Sequence, residues 1–338
     1  MTKRLEKIRK VLMMIIAIVL TGVAFIACGD DEEEQQQPAA KNLANYFTVQ
    51  GAETMTGSIP GNSNGVSIGE VSINSHALAG GSSPLFIASD NDIEYLYLSV
   101  KGANKYYRIT PSAKKSTTMD LIILFSQNLN ETFTIEVSAL LADGTTTVIY
   151  TTTINYIQAG TSALQVSLSF DNEKDVDLYL VKPDGEVVYY GNHDGDWVYD
   201  QTTGTYTYAW GLDVDSNPGC SIDGINNENI FYPSSEVQSG TYQVWINMYS
   251  NCDATIATNW VVTALHEGNL ITPTYGVNPS AGTYPVGEPS NPIGSSLNGA
   301  LKVMEFTMNG SQLGKSSVVS PLTQSAKMKL RNAGIEVK

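Results

Sequence analysis

The clearest alternation of apolar and polar residues lies in the second half of the chain, at residues 175–190. Val176, Leu178 and Leu180 fall on one side of an extended segment, which is the period-two pattern of a β-strand packed against a core. Residues 182–185, Lys-Pro-Asp-Gly, follow directly. They predict a tight turn, because proline fixes φ and glycine accepts a positive φ. The segment therefore predicts a β-hairpin.

Carboxylates occupy the other side of this strand. Asp175 and Asp177 alternate with the apolar row, and Asp171 and Glu173 precede them at the same spacing. An extended backbone would hold the four on one face, where like charges repel unless a partner neutralises them. The pattern predicts a bound cation, and the alternative is a set of solvated turn and edge residues.

The same alternation recurs along the chain and predicts an all-β protein of two tandem β-sandwich domains. Short strands without helical periodicity fill residues 45–158, and this pattern resembles an immunoglobulin-like sandwich. After a polar joint, residues 161–310 predict a jelly-roll-like sandwich with an irregular loop at 273–298. The predicted strands are 93–100, 119–125, 132–141, 145–156, 164–170, 204–212, 240–249, 259–266 and 301–308.

The first 27 residues have the pattern of a targeting segment and are excluded from the fold. Five basic residues precede an apolar stretch that ends at Cys28, which resembles a bacterial lipoprotein cleavage site with Cys28 as the lipidated residue. A single membrane-spanning anchor is the alternative. Residues 28–44 predict an acidic, flexible tether, and their acidic run resembles the surface-export signal of Bacteroidetes-type lipoproteins. We therefore expect an outer-membrane lipoprotein, exposed on the cell surface and held in the membrane by its lipid anchor.

The net charge restricts the classes of partner that the protein is expected to bind, and the cysteine content is informative about its compartment. A net charge of −15 disfavours nucleic acid and anionic lipid headgroups, and suits calcium and neutral or basic partners. With Cys28 assigned to the lipid, Cys220 and Cys252 remain, and outside the cytoplasm they predict a disulfide, with two separate thiols as the alternative. Residues 311–338 form a basic tail to which the pattern assigns no fold.

A family resemblance covers residues 161–310. The strand Asp-Val-Asp-Leu-Tyr-Leu-Val, its Pro-x-Gly turn, the later Gly240-Thr-Tyr and the closing Val303-Met-Glu-Phe occur in this order. They resemble the pre-peptidase C-terminal (collagen-binding-like) modules of bacterial extracellular proteins. The resemblance implies a non-catalytic module, often stabilised by Ca²⁺, and it carries over only Asp175 and Asp177. The insertion at residues 193–233 departs from the family pattern.

That insertion brings more oxygen ligands. Asp213, Asp215 and Asn217 alternate, and Glu228 follows in the same Gly/Asn-rich stretch. Calcium takes six to eight oxygen ligands, which carboxylates and amides supply. The stretch is not an EF-hand loop, because Pro218 stands at the glycine position. The candidate calcium ligands are Asp175, Asp177, Asp213, Asp215, Asn217 and Glu228.

Aromatic residues crowd the same insertion. Trp197 and Tyr199 are candidate ligand contacts, because exposed aromatic rings suit sugar rings or a peptide. Tyr206, Tyr208 and Trp210 alternate on one predicted strand, which favours a place in the core.

Catalysis is not expected. Residues 61–65 match the G-x-S-x-G motif, but a proline precedes them and a strand follows, whereas a nucleophile elbow lies between a strand and a helix. We expect a non-catalytic surface lipoprotein that adheres to an extracellular protein or glycan. The alternatives are an accessory glycan-capture lipoprotein of an outer-membrane uptake system and a structural, fimbrial-type component.

Overall fold

The computed structural model describes residues 40–309, except 114–115 and 201–204. The predicted targeting segment, the predicted lipidation site Cys28, most of the predicted tether and the basic tail lie outside the described residues, so these predictions stay predictions. The described residues belong to one compact unit. In the described part of the chain, no helix has the length and apolar character needed to cross a membrane.

The described chain is built from β-strands, which confirms the predicted all-β class. The first half contains β1 (Phe47–Val49), β2 (Glu53–Thr56), β3 (Glu70–Ile73), β4 (His76–Leu78), β5 (Ser82–Val100), β6 (Lys105–Ile109), β7 (Ser116–Phe125), β8 (Phe133–Leu141) and β9 (Tyr150–Ile157). The second half contains β10 (Leu164–Phe170), β11 (Asp175–Val181), β12 (Val187–Val188), β13 (Trp197–Asp200), β14 (Thr205–Tyr208), β15 (Gly211–Val214), β16 (Asn227–Tyr232), β17 (Gly240–Ser250), β18 (Thr258–His266), β19 (Asn269–Leu270), β20 (Tyr275–Gly276), β21 (Ser280–Tyr284) and β22 (Leu301–Met308). Short 3₁₀ turns lie at Leu43–Asn45 and Pro218–Cys220.

The long strand β5 organises the first sandwich. Its first part pairs with β3 and β7, and its second part pairs with β6 and β8. The register shifts between Ala88 and Ile93, so the strand bends and contributes to both sides of the core. Leu85, Ile87 and Leu96 are buried in that core, as the alternation of apolar residues requires.

Two facing sheets form the second sandwich. One has the order β15-β16-β10-β18-β19 with β21 also paired to β18, and the other has the order β12-β11-β17-β22-β20. Val176, Leu178 and Leu180 of β11 lie in the core between the sheets, as predicted. Gly185 in the following turn has φ 88°, the conformation for which glycine was needed.

A buried polar seam joins the two sandwiches. The amide of Gln165 donates to the carbonyl of Ala79 at 2.9 Å, and the amide of Asn74 donates to the Ser169 hydroxyl at 3.0 Å. Directional hydrogen bonds between buried groups fix one orientation, because each group would be costly to leave unpaired.

Some strand predictions are wrong. The predicted strand 145–156 begins only at Tyr150, because the Thr147 hydroxyl accepts the Ala139 N–H in place of a backbone carbonyl. The predicted strand 204–212 is divided between β14 and β15, since Gly211 has φ 88° and turns the chain into another sheet. The predicted loop 273–298 contains β21, which pairs with β18.

Candidate functional site

The strands β13 and β14 form a hairpin that pairs with no other strand in the described part of the chain. At its base, Ala209 N–H donates to the carbonyl of Asp196, and the Trp210 indole donates to the carbonyl of Asp194 at 3.1 Å. A side chain at Gly195 would overlap the carbonyl of Trp210, so the two segments approach as closely as the backbone permits. The base is therefore held by hydrogen bonds and by close backbone packing.

Asp194 anchors this base in the second sandwich. Its carboxylate accepts from the Lys182 ammonium at 2.8 Å and from the Tyr232 hydroxyl at 2.6 Å. Glu186 also pairs with Lys182, which is buried. Charge-assisted hydrogen bonds to a buried lysine have a fixed geometry, so the base of the hairpin is held rigidly against the sandwich.

One face of the hairpin carries four aromatic rings, which we call the aromatic face. Trp197 pairs across the strands with Tyr208, and Tyr199 pairs with Tyr206. Cross-strand partners, and residues two apart on a strand, lie on the same face. The ring centroids are 4.1 Å apart in the first pair and 5.1 Å apart in the second.

The aromatic face is open to solvent. Trp197 is 61% exposed, Tyr199 is 51% exposed and Tyr206 is 66% exposed. Large aromatic groups clustered on a surface are unusual for a soluble domain and mark interaction sites. Trp197 and Tyr199, predicted as ligand contacts, thus lie side by side on one exposed surface.

The predicted core position of Tyr206, Tyr208 and Trp210 is wrong for the first of them. Tyr206 belongs to the exposed face, Tyr208 is half-buried, and Trp210 packs against the core. Alternation correctly places Tyr206 and Tyr208 on one face of β14, whereas Trp210 lies beyond the end of that strand. Alternation does not say whether another sheet covers that face.

His193 is a member of the site that the sequence did not indicate. Its ring stacks on Tyr208 with 4.4 Å between centroids and 15° between planes. Nδ1 lies 2.8 Å from the carbonyl oxygen of Leu212, and because that oxygen only accepts, Nδ1 carries the proton. His193 therefore supports Tyr208 from the side of the sandwich.

The predicted calcium ligands lie elsewhere, in the interior of the second sandwich. Asp175 and Asp177 are nearly fully buried, and their side chains interact directly. Gly219 N–H donates to Asp175 at 2.6 Å, and the Tyr179 hydroxyl donates to Asp177 at 2.9 Å. Asp177 lies on the face of β11 opposite the apolar core. It is nevertheless buried, because the Tyr179 hydroxyl beside it also donates to the carbonyl of Ile293, and the segment around Ile293 covers this face.

Burial sets the charge state of this pair. Removal from water raises the pKa of Asp175 to about 6, and removal from water together with the neighbouring Asp175 raises the pKa of Asp177 to about 8. Two adjacent buried carboxyl groups cannot both ionise cheaply, so the pair holds a proton at neutral pH.

A second carboxyl pair lies close by. Asp215 and Glu228 interact directly, and Ser216 N–H donates to Glu228 at 2.9 Å. Burial, followed by the charges of Asp215 and Asp177, raises the pKa of Glu228 well above its usual range. The structure thus brings Asp175, Asp177, Asp215 and Glu228 into one electrostatically coupled neighbourhood.

The oxygens of the other predicted ligands, Asp213 and Asn217, accept hydrogen bonds from the protein. Both oxygens of Asp213 accept hydrogen bonds, from Gly160 N–H and from Asn229. The Asn217 side-chain oxygen accepts from two backbone N–H groups. The prediction of four carboxylates on one strand face is wrong, because β11 begins at Asp175 and Asp171 and Glu173 belong to the preceding turn.

These side chains as arranged do not fit a calcium ion. Within the described ranges of 40–309, no three or more His, Cys, Asp or Glu residues are grouped in a way that could hold a metal. The oxygens named above already accept protein hydrogen bonds, whereas calcium takes six to eight oxygen ligands. Calcium binding stays a prediction, and nothing below depends on it.

The predicted disulfide is confirmed. Cys220 and Cys252 are bonded, with 5.6 Å between their Cα atoms. The bridge ties the 3₁₀ turn at Pro218–Cys220 to the loop after β17. Because Gly219 in that turn donates to Asp175, the disulfide also positions a donor for the buried carboxyl pair.

Comparisons with known proteins give little beyond this geometry. No family model matches the chain, and no curated protein matches it. Among solved structures, the fibronectin(III)-like modules of Clostridium thermocellum CbhA are similar over 78% of this chain and 100% of theirs. The identity is 9% and the TM-score is 0.18, so this likeness carries no argument about function.

Proposed function

We propose that this protein is a non-catalytic cell-surface lipoprotein that adheres to an extracellular protein or glycan through the aromatic face. The observation that carries the proposal is the exposure of Trp197, Tyr199 and Tyr206 together on one hairpin. Burying such rings against a partner removes a large apolar area from water. Their placement on the surface, where none of the described strands pairs with their hairpin, suits contact with a partner outside the chain.

The construction of the hairpin supports binding. Trp and Tyr lose little conformational freedom when they bind, because each has two side-chain torsions. The base is fixed by the contacts of Asp194, so little ordering of the backbone is needed. These features favour recognition by a rigid surface.

The non-catalytic part of the proposal rests on the G-x-S-x-G segment. Residues 61–65 lie in a turn and have neither a strand directly before them nor a helix after them. Ser63 is exposed there. The strained strand-to-helix elbow that activates a serine nucleophile is not formed by this segment.

An array of glycans and extracellular-matrix proteins tests the proposal. The full-length chain should be retained on at least one component, with or without Ca²⁺, and the double variant Trp197→Ala/Tyr206→Ala should bind that component about tenfold more weakly or worse. Tyr275→Ala, which removes another half-exposed tyrosine, is the matched control and should bind like wild type. Unchanged binding of the double variant would remove the aromatic face as the site.

A further inference from the structure

Acidic residues greatly outnumber basic residues in the second sandwich. From residue 183 to residue 301 the sequence contains 13 Asp and Glu residues and not one Lys or Arg. Lys182 pairs with Glu186 and Asp194, and burial raises the pKa of Glu228, so the negative charge comes from the remaining acids. The aromatic face lies inside this interval, next to the exposed Asp196. A long anionic stretch creates a negative potential that attracts cations and repels anions.

The lysines that flank this interval do not offset the potential at the aromatic face. Lys174 is fully buried. Lys182 is buried and paired with Asp194 and Glu186. Lys302 pairs with Glu305 at 2.5 Å on another sheet. Of these three flanking lysines in the described part of the chain, none is both exposed and unpaired, so none is available to bind an anionic ligand.

Elsewhere in the protein, cations occupy the space over aromatic rings that lie near a carboxylate. In the described residues, three cations each lie over an aromatic ring, 4.9–5.1 Å from its centroid, while pairing with a carboxylate. The sets are Lys41 with Tyr46 and Glu131, Arg108 with Tyr95 and Glu53, and Lys302 with Tyr275 and Glu305. The ring quadrupole and the carboxylate attract the same positive charge.

We propose that the aromatic face binds lysine or arginine side chains of a basic extracellular polypeptide. The inference rests on the proposed function and names the partner's chemistry. Trp197 and the Tyr199–Tyr206 pair provide the ring faces, and the exposed Asp196, directly before Trp197 in sequence, provides a carboxylate. The three internal sets combine the same kinds of group, a ring and a carboxylate, with a cation, which at the aromatic face a partner would supply. Electrostatic complementarity of this kind chiefly sets partner choice and the rate of association.

Binding of a labelled oligolysine peptide to the full-length chain is the test, with an oligoglutamate peptide and a neutral oligosaccharide as parallel probes. Oligolysine should bind, oligoglutamate should not, and the oligosaccharide should not compete. Trp197→Ala/Tyr206→Ala should weaken oligolysine binding about tenfold or more, and Trp197→Tyr should retain most of it, since a tyrosine ring also attracts cations. Raising the salt concentration should weaken binding, because it screens exposed charges.

Tyr275→Ala is the matched control, because that ring already lies under Lys302. Its affinity for oligolysine should equal that of wild type. Binding of the oligosaccharide, but not of oligolysine, at the aromatic face would overturn the inference and leave the proposed function standing. Retention of array partners that is insensitive to Trp197→Ala/Tyr206→Ala would overturn both.

A chain lacking residues 311–338 distinguishes an external partner from the protein's own basic tail. Equal oligolysine affinity with and without the tail is the expected result. An increase of about tenfold or more on removing the tail would show that the tail occupies the face, and would overturn the assignment to an external polypeptide.

Discussion

Asp177→Asn should stabilise the protein at pH 8 by roughly 3–5 kcal/mol, and should change its stability little at pH 4. Asparagine has the shape of a protonated aspartate, can still accept from the Tyr179 hydroxyl, and can donate to Asp175. In the wild type, the same position must ionise beside Asp175 as the pH rises. The substitution removes the free-energy cost of ionising this buried side chain.

The sign follows from the direction of the pKa shift. Burial raises the pKa of folded Asp177 to about 8, above the ordinary aspartate value of about 3.9 in the unfolded chain. Protonated Asp177 therefore favours the folded state fully below pH 3.9, and this contribution is lost progressively as the pH rises towards 8. Asp175, with a pKa of about 6, acts in the same direction over a narrower window.

Urea unfolding of wild type and variant at pH 4, 6 and 8 measures this difference. Asp184→Asn is the matched control, because hydrogen bonds from Gln238 and from Glu186 N–H lower the pKa of Asp184 in the turn after the same strand. Asp184→Asn should show no gain in unfolding free energy that increases with pH. A constant destabilisation by Asp177→Asn at every pH would contradict the account of the buried pair.

Loss of the Cys220–Cys252 bridge should cost about 3–4 kcal/mol of unfolding free energy. The bond closes a loop of sequence separation 32, and a shorter loop would restrict the unfolded chain less. Cys220 lies on the surface, so a reductant can reach it. The loss should appear both in Cys220→Ala/Cys252→Ala and in wild type treated with dithiothreitol.

The double variant should in turn be insensitive to dithiothreitol, which controls for other effects of the reagent. Unfolding midpoints in urea, with the slopes compared, give the free energies. Equal stability of oxidised and reduced wild type would show that the bridge does not restrain the chain.

Much of the fold could be predicted because the alternation of apolar residues is strong. The strands β10 and β22 have the predicted bounds, since their apolar rows lie against the core on one side. Four of the six predicted calcium ligands, Asp175, Asp177, Asp215 and Glu228, lie close enough to interact electrostatically, while calcium binding itself stays a prediction. Spacing along the chain carries that much information.

Burial could not be predicted from the same pattern. Asp177 is covered by the segment around Ile293, more than a hundred residues away in sequence, and alternation does not show what lies above a strand face. For the same reason Tyr206 was expected in a core, although its hairpin pairs with no sheet among the described residues. Contacts between segments that are distant in sequence therefore decide which face of a strand is exposed to water.

The aromatic face as the binding surface is tested most directly by hydroxyl-radical footprinting of the full-length chain, free and bound to the array component that retains it. Trp197, Tyr199 and Tyr206 should be oxidised readily in the free protein and protected in the complex, while Tyr275 reacts equally in both. Equal oxidation of the three hairpin residues in free and bound protein would contradict the account.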